Sequence, residues 1–169
     1  HHLKDLSSLP VKRTDLLYKP LINISTPLKD ATSVLETIGK EDLIIHTPYH
    51  SYNTVLKFFN EAATNPEVNE IYTTLYRVAG NSKIARALIT AARNGKKVTV
   101  FIELKARFDE ENNLRWAAEM KNAGVKIINS IPGLKVHAKV ALIVGKVSGK
   151  QTKHALIATG NLNEITSRF

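Results

Sequence analysis

His137 and Lys139 stand two residues apart in the run Leu134-Lys135-Val136-His137-Ala138-Lys139, and two arginines, Arg77 and Arg107, precede them at equal steps of thirty residues. If each step is one strand–helix unit, the three reach equivalent heights on neighbouring strands. A neutral imidazole beside an ammonium and two guanidinium groups is a poor metal ligand. It is a good nucleophile for phosphorus, because the cations neutralise phosphoryl oxygens as charge builds. Arginine's planar fork binds phosphate bidentately and stays charged throughout. Each residue also has a plainer reading. His137 could be a hydrogen-bonded histidine at a strand end, Arg77 and Arg107 surface ion-pair partners, and Asn161 after Gly160 a turn residue. The cluster Asp109, Glu110, Glu111 could hold a metal, but a helix N-terminus favours acidic residues without one. His50 and His154 have no partner at useful spacing and read as structural or solvated.

The elements that must position these groups can be read from periodicity. Residues 3–21 are irregular. Thr26 caps a helix with Pro27 at its first position, Leu28, Ala31, Leu35 and Ile38 on one stripe, and Gly39 after it. A strand is expected at 42–46, and Ser51 caps a helix burying Val55, Phe58, Phe59 and Ala62. Residues 70–77 form a strand rich in β-branched and aromatic residues, followed by a helix over 82–93 with Ile84, Leu88 and Ala91 inward. Residues 97–103 are a second strand. Asp109 caps a helix reaching Lys121 with Leu114, Ala117 and Ala118 inward, and residues 125–129 form a third strand.

This alternation predicts an α/β fold, a mixed and mostly parallel sheet flanked by helices. Residues 136–144 and 153–159 close it as an antiparallel C-terminal hairpin. The start of the first hairpin strand and the end of the second then share the edge where the parallel strands end, the edge at which ligands bind in open α/β sheets. Tyr76-Arg77, Lys105 to Arg107, the segment of His137 and Lys139, Gly160-Asn161, and His46 to Tyr49 all fall on that edge. His137 and Lys139, two apart on a strand, point the same way.

Composition narrows the partners. The chain has 169 residues with 43% hydrophobic and 23% charged residues, values of one ordinary globular domain. It has no cysteine, which excludes disulfides, zinc–thiolate sites and thiol catalysis. Lys and Arg number 24 against 15 acidic residues, a net charge of +9, so a polyanionic partner is expected. Neither a glycine-rich phosphate loop nor a zinc-protease motif nor a nucleophile elbow is present, so any nucleotide is held by side-chain cations. Aromatic residues make up 7%, too few to interleave with the basic ones as a nonspecific single-strand binder requires.

Six runs together carry a family resemblance: His46-Thr47-Pro48-Tyr49, Thr74-Leu75-Tyr76-Arg77, Ala91-Ala92-Arg93-Asn94-Gly95-Lys96, Glu103-Leu104-Lys105-Ala106-Arg107-Phe108-Asp109-Glu110, Gly133-Leu134-Lys135-Val136-His137-Ala138-Lys139 and Thr159-Gly160-Asn161. In order and spacing the chain resembles the bacterial polyphosphate kinases of the histidine-phosphorylating type, over about residues 43–168. The run beginning at Glu103 is the most specific. The region looks like the first of that family's two C-terminal catalytic domains, which are similar in fold to phospholipase D.

The resemblance implies reversible transfer of the terminal phosphate of ATP to inorganic polyphosphate through a phosphohistidine, with Mg²⁺. By position His137 is the phosphorylated residue, Arg77 and Arg107 lie at the nucleotide phosphates beside the Mg²⁺ site, and Lys139 and Asn161 bind further phosphate groups. A guanidinium has no lone pair to give a metal, so the arginines would touch Mg²⁺ only through phosphate. The aspartate that follows the histidine–lysine pair in the phospholipase D signature is Val144 here.

The resemblance also implies that residues 1–40 are a tag remnant, lead-in and linking helix, and that 41–169 are a phospholipase-D-like catalytic domain. The sequence ends at Phe169 where a family tyrosine of the nucleotide site would follow, which suggests a fragment of a longer chain. ATP, ADP, polyphosphate and the remaining domains are the expected partners, with no nucleic acid. A homo-oligomer is expected for the full-length protein, in the cytoplasm or against the inner membrane. The alternatives are a phosphodiesterase of the phospholipase D class and a non-catalytic polyanion-binding domain.

Overall fold

The computed structural model describes residues 32–104, 110–129 and 133–168, with Asp15, Tyr18, Lys19, Ile22, Ile24 and Leu28 ahead of them. Thr26, Pro27, Arg107 and Asp109, each assigned a role from the sequence, lie outside the described residues.

The first helix, α1, spans Val34–Ile38. It starts later than the Thr26-Pro27 signal suggested because Ser33 is the cap, its hydroxyl accepting from the Glu36 N–H at 3.2 Å. Glu61 of the next helix, α2 (Asn53–Thr64), supplies the rest of the N-terminal satisfaction. Its carboxylate accepts from the N–H groups of Val34 and Leu35 at 3.0 and 3.1 Å, a negative group at the positive helix end. Residues 42–46 form no strand. Their alternating pattern instead places Leu43 and Ile45 along a groove, where they meet apolar side chains without joining the sheet. Tyr52, not Ser51, precedes the first residue of α2, while the Ser51 hydroxyl accepts from the Asn53 N–H.

Strand β1 (Val68–Leu75), helix α3 (Lys83–Arg93), strand β2 (Lys97–Ile102), helix α4 (Glu110–Asn122) and strand β3 (Lys126–Asn129) form the expected βαβαβ unit. Ile84, Leu88 and Ala91 of α3 are buried as their spacing predicts. Helix α4 is rotated from its expected phase: Asn113, Trp116 and Met120 are buried, while Leu114 is 48% exposed and Ala118 also faces out. A buried asparagine interrupts the apolar pattern: of the expected stripe Ala117 packs against the core, while Leu114 and Ala118 do not.

The chain finishes in β4 (Lys139–Val147) and β5 (Lys150–Ala158), joined by Ser148-Gly149. Both turn residues have positive φ, 49° and 81°, as a type I′ hairpin turn requires. The hairpin is therefore tighter, and its strands start later and earlier respectively, than the expected 136–144 and 153–159. The sheet order is β3-β2-β1-β4-β5, with β1–β2 and β2–β3 parallel and the two β4 ladders antiparallel. Mixed sheet, packed helices and C-terminal hairpin all match the expected fold class.

The order matters for function. β3 and β4 are separated by β2 and β1, a distance of about 14 Å at normal strand spacing. The described residues 133–138 lead into β4 from this side, and His137 lies against Tyr76, just past the carboxyl end of β1. No helix among the described residues is long and apolar enough to cross a membrane.

Candidate active site at the carboxyl edge of the sheet

β1 ends at Leu75, so Tyr76 and Arg77 lie just past the strand instead of within it. Their backbone is held from below by Asn113, which is fully buried. Its Nδ2 donates to the carbonyls of Tyr76 at 2.8 Å and Glu103 at 2.9 Å, and its Oδ1 accepts from the Val78 N–H at 3.2 Å. One side chain thus ties together the ends of β1 and β2 on both sides of Arg77. Asn163 grips the same loop from the C-terminal tail, donating from Nδ2 to the Arg77 carbonyl at 3.2 Å. The tail is itself anchored by Glu164, whose Oε1 accepts from the first N–H of α3, that of Lys83.

The segment leading into β4 is held at Val136, His137 and Ala138. The buried carboxylate of Glu103 accepts from the Val136 N–H at 3.3 Å. The Thr74 hydroxyl donates to the Ala138 carbonyl at 2.6 Å and accepts from the Val140 N–H at 3.1 Å, continuing the β1–β4 contact past the last ladder pair, Thr73 with Ala141. Lys139 is buried and donates from Nζ to the His137 carbonyl at 2.6 Å. Burial pulls its ammonium below the usual lysine value. His137 precedes β4, so it is not on a strand as the sequence reading had it, and its side chain is exposed.

Tyr76 joins these parts. Its ring meets the His137 imidazole edge to face, centroids 5.6 Å apart at 76°, and the Lys139 Nζ lies 5.6 Å from its centroid. The site therefore unites His137, Lys139 and the Tyr76-Arg77 pair. Asn161 is tied to the Arg77 loop through Asn163, whose N–H donates to the Asn161 carbonyl at 2.8 Å, but its side chain lines a separate groove. The Asn161 Oδ1 is buried with no hydrogen-bond partner among the described residues. It lines a groove of about 500 Å³ with Thr47, Tyr52 and Ile157. Thr47 thus reaches the edge, as expected for its segment, where a cis peptide joins it to Pro48. Arg107 lies outside the described residues. His50 is structural, its Nδ1 accepting from the His46 N–H at 2.9 Å, and partial burial lowers the pKa of His154.

Such an edge can bind an anion through cations and present one uncharged-capable nitrogen to it. Among the described residues there is no group of three His, Asp or Glu residues suited to a metal. Val144, at the position of the phospholipase D aspartate, sits in mid-strand opposite Glu70 and Lys153.

Comparison with known proteins decides the family. The family described as polyphosphate kinase C-terminal domain 1 matches residues 33–169. The chain belongs to the polyphosphate kinase family. It is 46% identical over 155 residues, 90% of the chain, to a polyphosphate kinase of Campylobacter jejuni. It is 42% identical over its whole length to that of Escherichia coli. The solved polyphosphate kinase of Porphyromonas gingivalis superposes with a TM-score of 0.80 at 47% identity over 99% of the chain. The chain spans 22%, 25% and 28% of these three proteins respectively. A phospholipase D family member from Salmonella typhimurium also matches, at 14% identity and a TM-score of 0.43.

Within this polyphosphate kinase domain, Thr74, Glu103, Asn113 and Asn163 were not singled out as site residues from the sequence. Their one legible signal was local: Thr74 and Glu103 open two of the runs that carry the family resemblance, and Asn163 lies two residues past a third.

Proposed function

We propose that this chain is one catalytic domain of a longer polyphosphate kinase, moving the terminal phosphate of ATP reversibly onto inorganic polyphosphate through a phosphohistidine at His137. The observation that carries the reading is an exposed imidazole at the carboxyl edge, on backbone held through the Val136 N–H and the His137 and Ala138 carbonyls, beside Lys139 and against the ring of Tyr76, the residue before Arg77. In the forward direction an imidazole nitrogen attacks the γ-phosphorus in line. The N–P bond forms as the bond to the β,γ-bridging oxygen breaks, and ADP leaves with the electron pair. A terminal phosphate oxygen of the polymer then attacks the same phosphorus and releases the imidazole.

Arg77 and Arg107 act as phosphate clamps, with Lys139 and Asn161 binding further phosphate oxygens. Mg²⁺ belongs to the substrate in this scheme: it enters with the nucleotide phosphates and meets Arg77 and Arg107 through them. Residues 41–169 are the first of two catalytic domains of the parent chain. The remaining domains of the parent chain are its covalent partners, the full-length protein is a homo-oligomer, and its location is the cytoplasm or the inner face of the membrane.

The test is an exchange assay on the full-length parent. Incubation with ATP and polyphosphate should yield ADP together with longer chains, and ADP with polyphosphate should regenerate ATP. Phosphodiester hydrolysis without this exchange would establish a phospholipase-D-type activity instead. Tight polyphosphate binding with neither reaction would leave a binding domain.

A further inference from the structure

We infer that Tyr76 is a positioning residue for the His137 nucleophile, a role that rests on the phosphohistidine reading. His137 lies just outside β4, so the sheet ladder does not orient it, and its exposed side chain has two rotatable bonds. The ring of Tyr76 is its one ring contact among the described residues. The interplanar angle of 76° at 5.6 Å is the edge-to-face arrangement that aromatic quadrupoles prefer.

The same ring attracts the Lys139 ammonium, 5.6 Å from its centroid, while Lys139 bonds the His137 carbonyl at 2.6 Å. Ring, ammonium, carbonyl and imidazole close a loop that fixes both ends of the histidine. Tyr76 is a firm base for this loop because Asn113 holds its carbonyl at 2.8 Å. Its hydroxyl makes no hydrogen bond among the described residues, so the ring itself supplies the contact. In-line attack on phosphorus tolerates little misplacement, and an error of about 1 Å costs on the order of a hundredfold.

Single-turnover phosphate incorporation from γ-labelled ATP into the full-length parent tests this, with KM for ATP and far-UV circular dichroism measured alongside. Tyr76→Leu should slow labelling by about ten- to a hundredfold, with KM within about threefold and the spectrum unchanged. Tyr76→Phe, which keeps the ring, should label within about twofold of the wild type. A merely structural role would move stability without separating rate from KM, and Phe would not selectively restore the rate. Wild-type labelling by Tyr76→Leu overturns the inference. So does equal slowing by Phe and Leu, which assigns the role to the hydroxyl, or a rise in KM alone, which makes Tyr76 a substrate-binding residue. If Tyr76→Leu fails to fold, Tyr76→Met decides the same question. A His137→Ala control separates the two levels: label that persists in it overturns the phosphohistidine reading and this inference together, whereas label lost in it beside a fast Tyr76→Leu overturns this inference only.

Discussion

Replacing Asn113 by alanine should damage stability and the site together. Three hydrogen bonds vanish, to Tyr76, Glu103 and Val78, and two of them lie in fully buried surroundings. At a net worth of about 0.5–1.5 kcal/mol each, their loss costs about 1.5–4.5 kcal/mol. The Val78 N–H is then left buried without its partner, which moves the expected value to the upper half of that range, about 3–4 kcal/mol. That is a large share of the roughly 5–15 kcal/mol a domain possesses. Urea unfolding followed by circular dichroism should show a lower midpoint at an unchanged slope. Asn113→Asp is the informative control. It keeps an acceptor for Val78 but turns a carboxylate toward two carbonyl oxygens, so it should be no better than alanine. A loss below about 1 kcal/mol in both variants would refute the view that this side chain holds the ends of β1 and β2.

Arg77→Ala should reduce phosphoryl transfer in the full-length parent by at least on the order of a hundredfold, the scale for one charge-stabilising donor, and normal turnover would remove Arg77 from the site. Gly145→Ala should destabilise the fold by about 1–3 kcal/mol, because its Cβ would come within 2.6 Å of the Glu67 carbonyl at the irregularity between β1 and β4; unchanged thermal stability would contradict this. The Glu70 carboxyl is held below its ordinary value by the Tyr72 hydroxyl and then by Lys97. Its stabilisation is therefore present above pH 4.5 and fades as pH falls through the lower folded value, so the stability gap between wild type and Glu70→Gln should close in acid. A gap that stays constant down to pH 3 would show that ionisation of Glu70 plays no part.

The parts of the fold legible in the sequence were those whose burial is apolar and periodic. Ile84, Leu88 and Ala91 announced the inner face of α3, and the antiparallel hairpin put the start of β4, just after His137, at the edge where β1 ends beside Tyr76. What escaped has a common physical cause. Asn113 is buried because two strand ends need donors, so helix α4 hides a polar residue and exposes Leu114. Leu43 and Ile45 alternate like a strand yet line a groove, since periodicity reports burial and not ladder bonds. His137 was placed on a strand because Val136 is apolar, whereas its segment leads into β4 and is held by Glu103 and Thr74. The nucleophile candidate was legible from residue type, while the residues that fix it were not, because backbone anchoring depends on tertiary position alone.

The most direct test of the central claim is phosphate labelling of the full-length parent with γ-labelled ATP, followed by peptide mapping. The account predicts an acid-labile, base-stable label on the peptide containing His137, absent from His137→Ala. A stable serine or threonine phosphate, or a phosphohistidine that maps elsewhere and survives in His137→Ala, would contradict it.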